Sequence, residues 1–495
     1  AVKIYVDGVE KWYRITDPLM HETIVGSFEG SDPAASWMVQ VLGKPARVLR
    51  DVVTRMPDFM VANLIRDSLQ IWMMGVGGVE GPIPIASQLK LIRKNLTDYY
   101  NNRESSASYQ RLERGAAVGG YDSVALSPDR LRRKLNELSD KGNEGPVRST
   151  FFKLWDASQE VSSRFESASR EFVYDETVDK VTAELIREGV DPKLAKIRAE
   201  NQGNFRALEI MNFSRSGNSA GMKFVTSMVP FLNARMQGMA RLGRAGIYGD
   251  GVTGRVSPEK ARQVLLRRAI FLSTVSTLYA IKNYDDPDFE DQSSVYRDMN
   301  WLVRIGDEFY GIPIPFELGV LFKVIPEQIT RLAMGESSAE VRKSLKRQFY
   351  ETLNFNITPQ FAKPIIETWA NKNSFTKQAI VPPWMEGLDA NLQVKDKTSE
   401  VSRLVGGLFG ASPLYVDNIV RGYFGTMGVT ALEIVDLYTS VPGVDKLGLV
   451  RSGLVTRPSR SWYDYPLVKR FVKNRLGSGE RAKVSLLSIF TIVVK

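Results

Sequence analysis

The residue types that most often carry catalysis or bind metals are scarce in this chain. Its 495 residues contain no cysteine and a single histidine, His21. This composition excludes disulfide frameworks, thiolate nucleophiles and Cys- or His-rich zinc sites. His21 follows a predicted hairpin, and no nucleophile is paired with it in the sequence, so we interpret it as a surface or turn histidine.

Acidic pairs and a glycine-rich segment are the remaining candidates for chemistry. Asp285-Asp286 and Glu290-Asp291 lie in a polar segment, which is typical of an acidic surface loop. A glycosidase pair can be built from carboxylates far apart in the sequence, so that alternative stays open. Residues 75–78 (GVGG) lack the Lys-Ser/Thr of a phosphate-binding loop. We therefore expect a non-enzymatic protein, with no catalytic residues, no cofactor and no metal site.

The charge balance is moderately basic. Lysine and arginine number 66 against 56 aspartates and glutamates, a formal net charge of +10. Such an excess favours nucleic acid, anionic lipid or an acidic partner, but a merely basic soluble protein has the same balance. The contents of apolar (43%) and charged (25%) residues are those of a globular protein, and this length predicts two or three substructures. The polar N-terminus has no apolar signal core, so Sec export is not expected.

Two apolar segments are candidates for membrane contact. Residues 269–281 carry no charge, and residues 484–494 form a shorter apolar run. Because a helix needs about 20 apolar residues to cross a bilayer core, both are expected to be buried core helices. The alternative is a segment that lies on or enters a bilayer after a rearrangement. The candidate membrane-active residues are Ala269, Phe271, Leu272, Leu278 and Ile281.

Two β-hairpins are predicted. Residues 3–15 alternate around Asp7-Gly8, a two-residue turn that is the strongest short hairpin signal. Residues 301–315 have a similar pattern, with a turn near Gly306-Asp307.

Most of the remaining chain has helical periodicity. Residues 48–74 predict two helices or one kinked helix, because Pro57 interrupts them. Helix starts with a serine cap and a following proline are predicted at Ser127, ahead of a short basic helix, and at Ser257. Two apolar stripes, interpreted as core seams, consist of Leu89, Ile92, Leu96 and Tyr99, and of Leu154, Ser158, Val161, Phe165, Ala168 and Phe172.

The predicted fold is therefore mainly α, a multi-helix, extended or multi-lobed architecture with two small β-hairpins. Three regions are expected: an N-terminal hairpin with helices (1–202), a central helical region with the second hairpin (203–353), and a Pro/Asn-rich connection leading to Gly-rich helices (354–495). Residues 203–221 are interpreted as a polar join between the first two regions.

The most distinctive helical pattern covers residues 223–246 (KFVTSMVPFLNARMQGMARLGRAG). Pro230 removes one backbone donor inside it, which predicts a kink. Asn233 follows one turn later, where it could satisfy a freed carbonyl. The glycines that would let another helix approach are Gly238, Gly243 and Gly246.

Several arginines accompany these patterns. Arg66 and Asp67 belong to an N-x-x-R-D pattern that begins at Asn63. We interpret the arginines as intramolecular ion-pair partners that fix helix order, with DNA phosphate as the alternative ligand. Those in the 223–246 segment are Arg235, Arg241 and Arg244.

Seven strings in this order resemble one family, the large polyvalent protein associated domain found near the C-terminus of giant phage proteins. The resemblance extends over residues 3–472. The strings are KIYVDGVEKWYRITDP (3–18), MPDFMVANLIRDSLQIW (56–72), VPFLNARMQGMARLGRA (229–245), FYGIPIPFELGVLF (309–322), ETWANKNSFTKQAIVP (367–382), SPLYVDNIVRGYFGTMG (412–428) and DYPLVKRFV (464–472). The motif residues are Asn63, Arg66, Asp67, Pro230, Phe231, Asn233, Gly238, Pro413, Arg421 and Gly425.

The resemblance implies a structural, non-enzymatic module of an internal virion, or ejection, protein of a bacteriophage. Such a protein is stored in the capsid core and leaves with the DNA for the host periplasm and inner membrane, where it helps to build a conduit for the genome. The implied partners are further copies in a ring, other core proteins, the DNA backbone and the inner membrane. Two alternatives stay open: a scaffold domain of a mobile-element effector or toxin, and an accessory C-terminal domain of a virion-packaged RNA polymerase.

Overall fold

The computed structural model describes residues 2–6, 9–13, 41–75, 81–114, 146–210, 220–249, 257–353, 358–374, 378–395, 398–439 and 471–474. Within these ranges the protein is mainly helical with two small antiparallel sheets, which confirms the predicted fold class.

The elements in the first half of the chain are β1 (Val2–Val6), β2 (Val9–Tyr13), α1 (Lys44–Thr54), α2 (Pro57–Met73), α3 (Ile85–Tyr100), α4 (Ala107–Arg114), α5 (Pro146–Arg187), α6 (Pro192–Ile210), α7 (Ala220–Met228) and α8 (Leu232–Tyr248). Those in the second half are α9 (Pro258–Lys282), α10 (Pro287–Glu290), α11 (Ser294–Met299), β3 (Asn300–Ile305), β4 (Glu308–Pro313), α12 (Phe316–Gly319), a π-helix (Val320–Val324), α13 (Ile325–Ala333), α14 (Ser338–Leu353), α15 (Lys363–Trp369), two 3₁₀ turns (Pro383–Met385 and Ala390–Leu392), α16 (Glu400–Phe409), α17 (Pro413–Thr439) and β5 (Val472–Asn474).

The chain forms two compact units, each assembled from segments that are distant in sequence. Unit 1 comprises residues 1–53, 215–233 and 357–457. Unit 2 comprises residues 54–214, 234–356 and 458–495. The division into three consecutive regions stays a prediction.

Both hairpins form as predicted. Strands β1 and β2 pair with Val6 opposite Val9, the register that the sequence predicts for this hairpin. In the second hairpin Ile305 lies opposite Glu308, and Gly306 has a φ of 63°, a conformation that glycine adopts without strain. Strand β5 then extends this sheet to the order β3-β4-β5.

Two local predictions of helix starts are also confirmed. Pro57 occupies the first turn of α2, so residues 44–73 form two helices rather than one. At the start of α9 the side chain of Ser257 accepts a hydrogen bond from the backbone nitrogen of Lys260 at 3.4 Å.

The predicted polar join at residues 203–221 is wrong at its first end, because α6 continues to Ile210. A Cβ atom on Gly203 would lie 2.9 Å from ring carbon Cδ2 of Tyr174 on α5. The glycine therefore serves close packing of α5 against α6 rather than a loop. The small buried side chains of Ala195, Ala199 and Ala207 on α6 pack in the same way.

The apolar stripe predicted on α3 is only partly buried. Ile92 lies in the core, but Leu89 and Tyr99 are exposed. The buried seam instead includes two amides: Gln88 accepts a hydrogen bond from Ser68 at 2.8 Å, and Asn95 donates to Glu171 at 2.7 Å. Residues of the sequence predictions outside the described ranges are His21, the basic helix 130–135, positions 464–470 and the run 484–494.

Candidate functional site

Helix α9 carries large apolar side chains on every side. Its 25 residues advance by about 100° each, so side chains can be placed on a helical wheel. Roughly half of the wheel packs against unit 2, and the other half carries large apolar side chains that are 39% to 61% exposed, with exposed Arg267 among them. These exposed residues, called here the α9 face, are Leu266, Ile270, Phe271, Val275, Leu278 and Ile281.

The opposite side of α9 anchors it in unit 2. Ala269 and Leu272 belong to a core cluster that includes Met73 and Leu318. Arg268 is buried beside them: its guanidinium carbon lies 4.9 Å from the centre of the Trp72 ring. It also donates to the backbone carbonyl of Trp72, and burial lowers its pKa to about 10. The helix is thus held by one face while the α9 face remains in solvent.

A buried ion pair fixes the C-terminal half of α9. Lys323, only 1% exposed, donates to the carboxylate of Glu327 at 2.9 Å and to the backbone carbonyl of Arg297 at 2.8 Å. Its ammonium lies 5.7 Å from the ring centre of Tyr279, whose hydroxyl accepts from the backbone N–H of Leu302 at 2.8 Å. Burial raises the pKa of Glu327 to about 7, and Lys323 opposes this shift. Lys323 lies in the π-helix, so this irregular turn delivers a cation to the core.

The five candidate membrane-active residues divide between the two sides of α9. Ala269 and Leu272 are buried in the core cluster, whereas Phe271, Leu278 and Ile281 belong to the α9 face. The expectation that this segment is too short to cross a bilayer considered only the uncharged residues 269–281. It is corrected because these residues belong to the longer helix α9. By length and composition alone, α9 is able to cross a membrane, and only 33% of its apolar window is buried.

Sequence reasoning missed Leu266, Ile270 and Val275 as members of this face. Leu266 precedes Arg267 and Arg268, so a search for an uncharged run excluded it. The sequence did contain a sign of this face, because large apolar residues recur on every side of the helix. That pattern is typical of helices surrounded by protein or lipid.

The N-x-x-R-D motif lies in the interior of unit 2. Asn63 donates to the Asp67 carboxylate at 3.0 Å, and Arg66 donates to the backbone carbonyl of Ile314 at 3.3 Å. Burial, together with the nearby carboxylate of Glu166, raises the pKa of Asp67 to about 8. The guanidinium groups of three arginines act in the opposite direction; they are Arg170, Arg66 and Arg241.

The helix predicted over residues 223–246 is broken rather than kinked. Helix α7 ends at Met228, Pro230 lies in the turn, and α8 begins at Leu232. Phe231 has a φ of 62°, which lies in the left-handed region and interrupts the helical backbone between α7 and α8. Asn233 is buried in the first turn of α8.

The arginines of α8 bind groups of the same chain. Arg241 donates to the carbonyl of Ile210, and Arg244 forms an ion pair with Glu209 at 3.1 Å. Arg235 lies near Glu317 and counteracts the rise that burial produces in the pKa of that carboxyl.

Three glycines were predicted to let a neighbouring helix approach, and a neighbouring helix lies close to only one of them. A Cβ atom on Gly238 would lie 2.8 Å from either carboxylate oxygen of Glu317 on α12. Gly243 and Gly246 have no heavy atom of a neighbour within 4 Å of that position.

The remaining motif residues belong to unit 1. Pro413 is buried at the start of α17, where its ring packs against Gly406 of α16. Arg421 is exposed on α17 near Asp417 and Lys395. Gly425 interrupts α17 with φ 56° and ψ −142°, and a Cβ atom there would lie 2.9 Å from a methyl group of Val53.

The described residues contain no group of three or more His, Asp or Glu side chains arranged to hold a metal ion. Charged side chains in the described part of the chain pair with other groups of the same chain, as Lys323 does with Glu327.

Comparison with known families confirms the resemblance over part of the chain. Residues 286–468 match the model of the family described as large polyvalent protein associated domain 38. The match associates this chain with polyvalent proteins. It includes the strings at residues 309–322, 367–382 and 412–428, whereas the strings before residue 286 and α9 lie outside it. No curated protein and no solved structure matches the chain.

Proposed function

We propose that this chain is a structural, non-enzymatic module of a bacteriophage internal virion (ejection) protein. In this proposal it is stored in the capsid core, leaves with the genome, and helps to form a conduit across the host periplasm and inner membrane. The match of residues 286–468 to a polyvalent protein domain supports the class of protein. The observation that carries the membrane role is the α9 face.

The α9 face fits contact with lipid on physical grounds. The α9 face exposes six large apolar side chains to water. Burying apolar surface is favourable by about 25 cal/mol for each Å², and this free energy is not gained while the face stays exposed. Large apolar side chains exposed along one half of a helix are normally covered by protein or lipid. The 18-residue apolar window of α9 is about 27 Å long at about 1.5 Å per residue, close to the roughly 30 Å hydrocarbon core.

Basic residues accompany the apolar side chains of this helix. Arg262 and Arg267 are exposed in its first half, and Lys282 is exposed at its end. Long basic side chains can extend to lipid headgroups while their stems cover apolar surface. This arrangement is suited to an inner membrane with anionic lipids.

A conduit requires several copies of the chain. A ring of identical subunits lets one kind of interface close a channel, and a basic or neutral lumen would pass the DNA. Other proteins of the capsid core are the remaining proposed partners, and the proposal needs no cofactor.

The experiment is flotation of the chain with vesicles of anionic phospholipid, comparing variants matched in exposure. Leu266→Ser with Leu278→Ser alters the α9 face, and Ile197→Ser with Phe205→Ser changes two equally exposed apolar residues on α6. We expect the unmodified chain and the α6 variant to float and the α9 variant to remain with the soluble fraction. A chain that stays unbound at every pH, or an α9 variant that floats as well as the α6 variant, would refute the membrane role.

A further inference from the structure

A second exposed apolar surface lies in unit 1. Trp369, Trp384, Leu408 and Phe409 are 71% to 85% exposed, well beyond the usual exposure of such large apolar side chains. We call these four residues the aromatic patch. Other exposed apolar residues on the same elements are Ile365, Ile366, Leu388, Leu392 and Leu404.

The elements that carry the patch are fastened to one another. Asn371, two residues after Trp369, donates to the backbone carbonyl of Val381 at 2.9 Å and to the carboxylate of Glu386 at 2.8 Å. The side-chain oxygen of Asn371 also accepts from the backbone N–H of Val381 at 2.8 Å. This one amide therefore joins the end of α15 to the turn that holds Trp384.

The same turn is packed on the α16–α17 hairpin. Met385, next to Trp384, is buried in a cluster with Val381 and Leu414 of α17. The 3₁₀ turn Ala390–Leu392 packs against α16, the helix whose C-terminal end carries Leu408 and Phe409. The patch is thus presented on built structure, and its exposure is a property of the folded unit.

The composition of this surface favours a protein partner over lipid. Glu386 and Asp389 are exposed within the turn that carries Trp384 and Leu388, so an anionic membrane would meet two carboxylates there. Tryptophan and phenylalanine are the residue types enriched at protein–protein interfaces. Exposed Lys372, three residues after Trp369 in sequence, supplies the opposite charge on the same segment.

We propose that the aromatic patch is the contact between two copies of this chain. A surface that holds both carboxylates and an ammonium can complement itself when the same patch is used on both copies, as two-fold symmetry requires. The three aromatic side chains offer roughly 500 Å² of surface. With the exposed aliphatic residues of the same elements, this approaches the roughly 800 Å² per partner typical of a stable pair.

This two-fold contact closes at a pair, so in the proposed conduit it would join copies without itself closing the ring. Only that role in a conduit rests on the proposed function. The test of the pairing is sedimentation velocity of the full chain at increasing micromolar concentrations. We expect a concentration-dependent dimer, and we expect Trp384→Ser with Phe409→Ser to weaken the dimer at least about tenfold. The matched control is Leu266→Ser with Leu278→Ser on α9, which should leave the dimer unchanged.

The same variants separate this inference from the membrane role. The patch variant should still float with vesicles, and the α9 variant should still form dimers. A chain that stays monomeric, or a patch variant that dimerises as well as the unmodified chain, overturns the inference. So does loss of vesicle flotation in the patch variant without loss of the dimer, because the patch would then be a lipid contact.

Discussion

Replacement of Asp67 by asparagine should remove part of the pH dependence of stability. The folded pKa of Asp67 is about 8, compared with an ordinary value of 3.8, because the carboxyl is buried and lies near Glu166. A folded pKa above the unfolded value means that the folded state binds the proton more tightly. The stabilising contribution is therefore complete below about pH 4 and is lost as the pH rises through about 8.

The magnitude follows from the two pKa values. At about 1.4 kcal/mol per pH unit, the rise from 3.8 to about 8 corresponds to a loss of about 6 kcal/mol as the pH increases across this range. Asparagine has nearly the same shape as the protonated acid, and its side-chain oxygen can accept the hydrogen bond that Asn63 donates. The variant should thus resemble the unmodified chain below about pH 4 and be more stable by several kcal/mol at about pH 9.

Urea unfolding at a series of pH values, followed by helical circular dichroism, measures this difference. The control is Asp285→Asn, which removes one exposed carboxylate from the same unit and should keep the slope of the unmodified chain. Equal losses of stability with rising pH in the unmodified chain and in Asp67→Asn would refute the reasoning, because Asp67 would then be ionised throughout the range.

Two further substitutions test packing and buried charge, with urea unfolding as the measurement. Gly425→Ala should cost about 1–3 kcal/mol, because φ is 56° and the new Cβ would crowd Val53, whereas Gly407→Ala within α16 should cost less than about 1 kcal/mol. Lys323→Met should cost about 2–4 kcal/mol near pH 8 and less near pH 5, where Glu327 takes up a proton. Adding Glu327→Leu to Lys323→Met should recover stability, since a buried pair replaced entirely by apolar residues is often tolerated.

Contrary outcomes are as informative for these substitutions. Equal costs for the two alanine variants would mean that neither the positive φ nor the neighbour of Gly425 matters. A double variant less stable than Lys323→Met alone would show that Glu327 has favourable contacts beyond the lysine.

Local chemistry made much of the fold predictable. The Asp7-Gly8 and Gly306-Asp307 turns fix their hairpins, and Pro57 separates two helices, because each effect acts within a few residues. The seam of α3 was not predictable, since its buried amides depend on distant partners. Gln88 and Asn95 form hydrogen bonds with residues 20 and 76 positions away in sequence.

The candidate site shows the same limit. The absence of charge marked residues 269–281 as an apolar helix, but it could not tell which side the core would take. That choice depends on Trp72, Leu318 and the π-helix, which pack against α9 only in the folded unit. The aromatic patch was not predicted, because the tryptophans at 369 and 384 have no periodic pattern and their exposure is set by the contacts of Asn371.

Mass spectrometry of purified virions before and after genome ejection tests the proposed function most directly. Under the proposed function, a phage that encodes this chain should contain it in intact particles, lose it from emptied particles, and deliver it to the envelope fraction of infected cells. A chain absent from intact virions, or one retained in full by emptied particles, would contradict the assignment to an ejection protein.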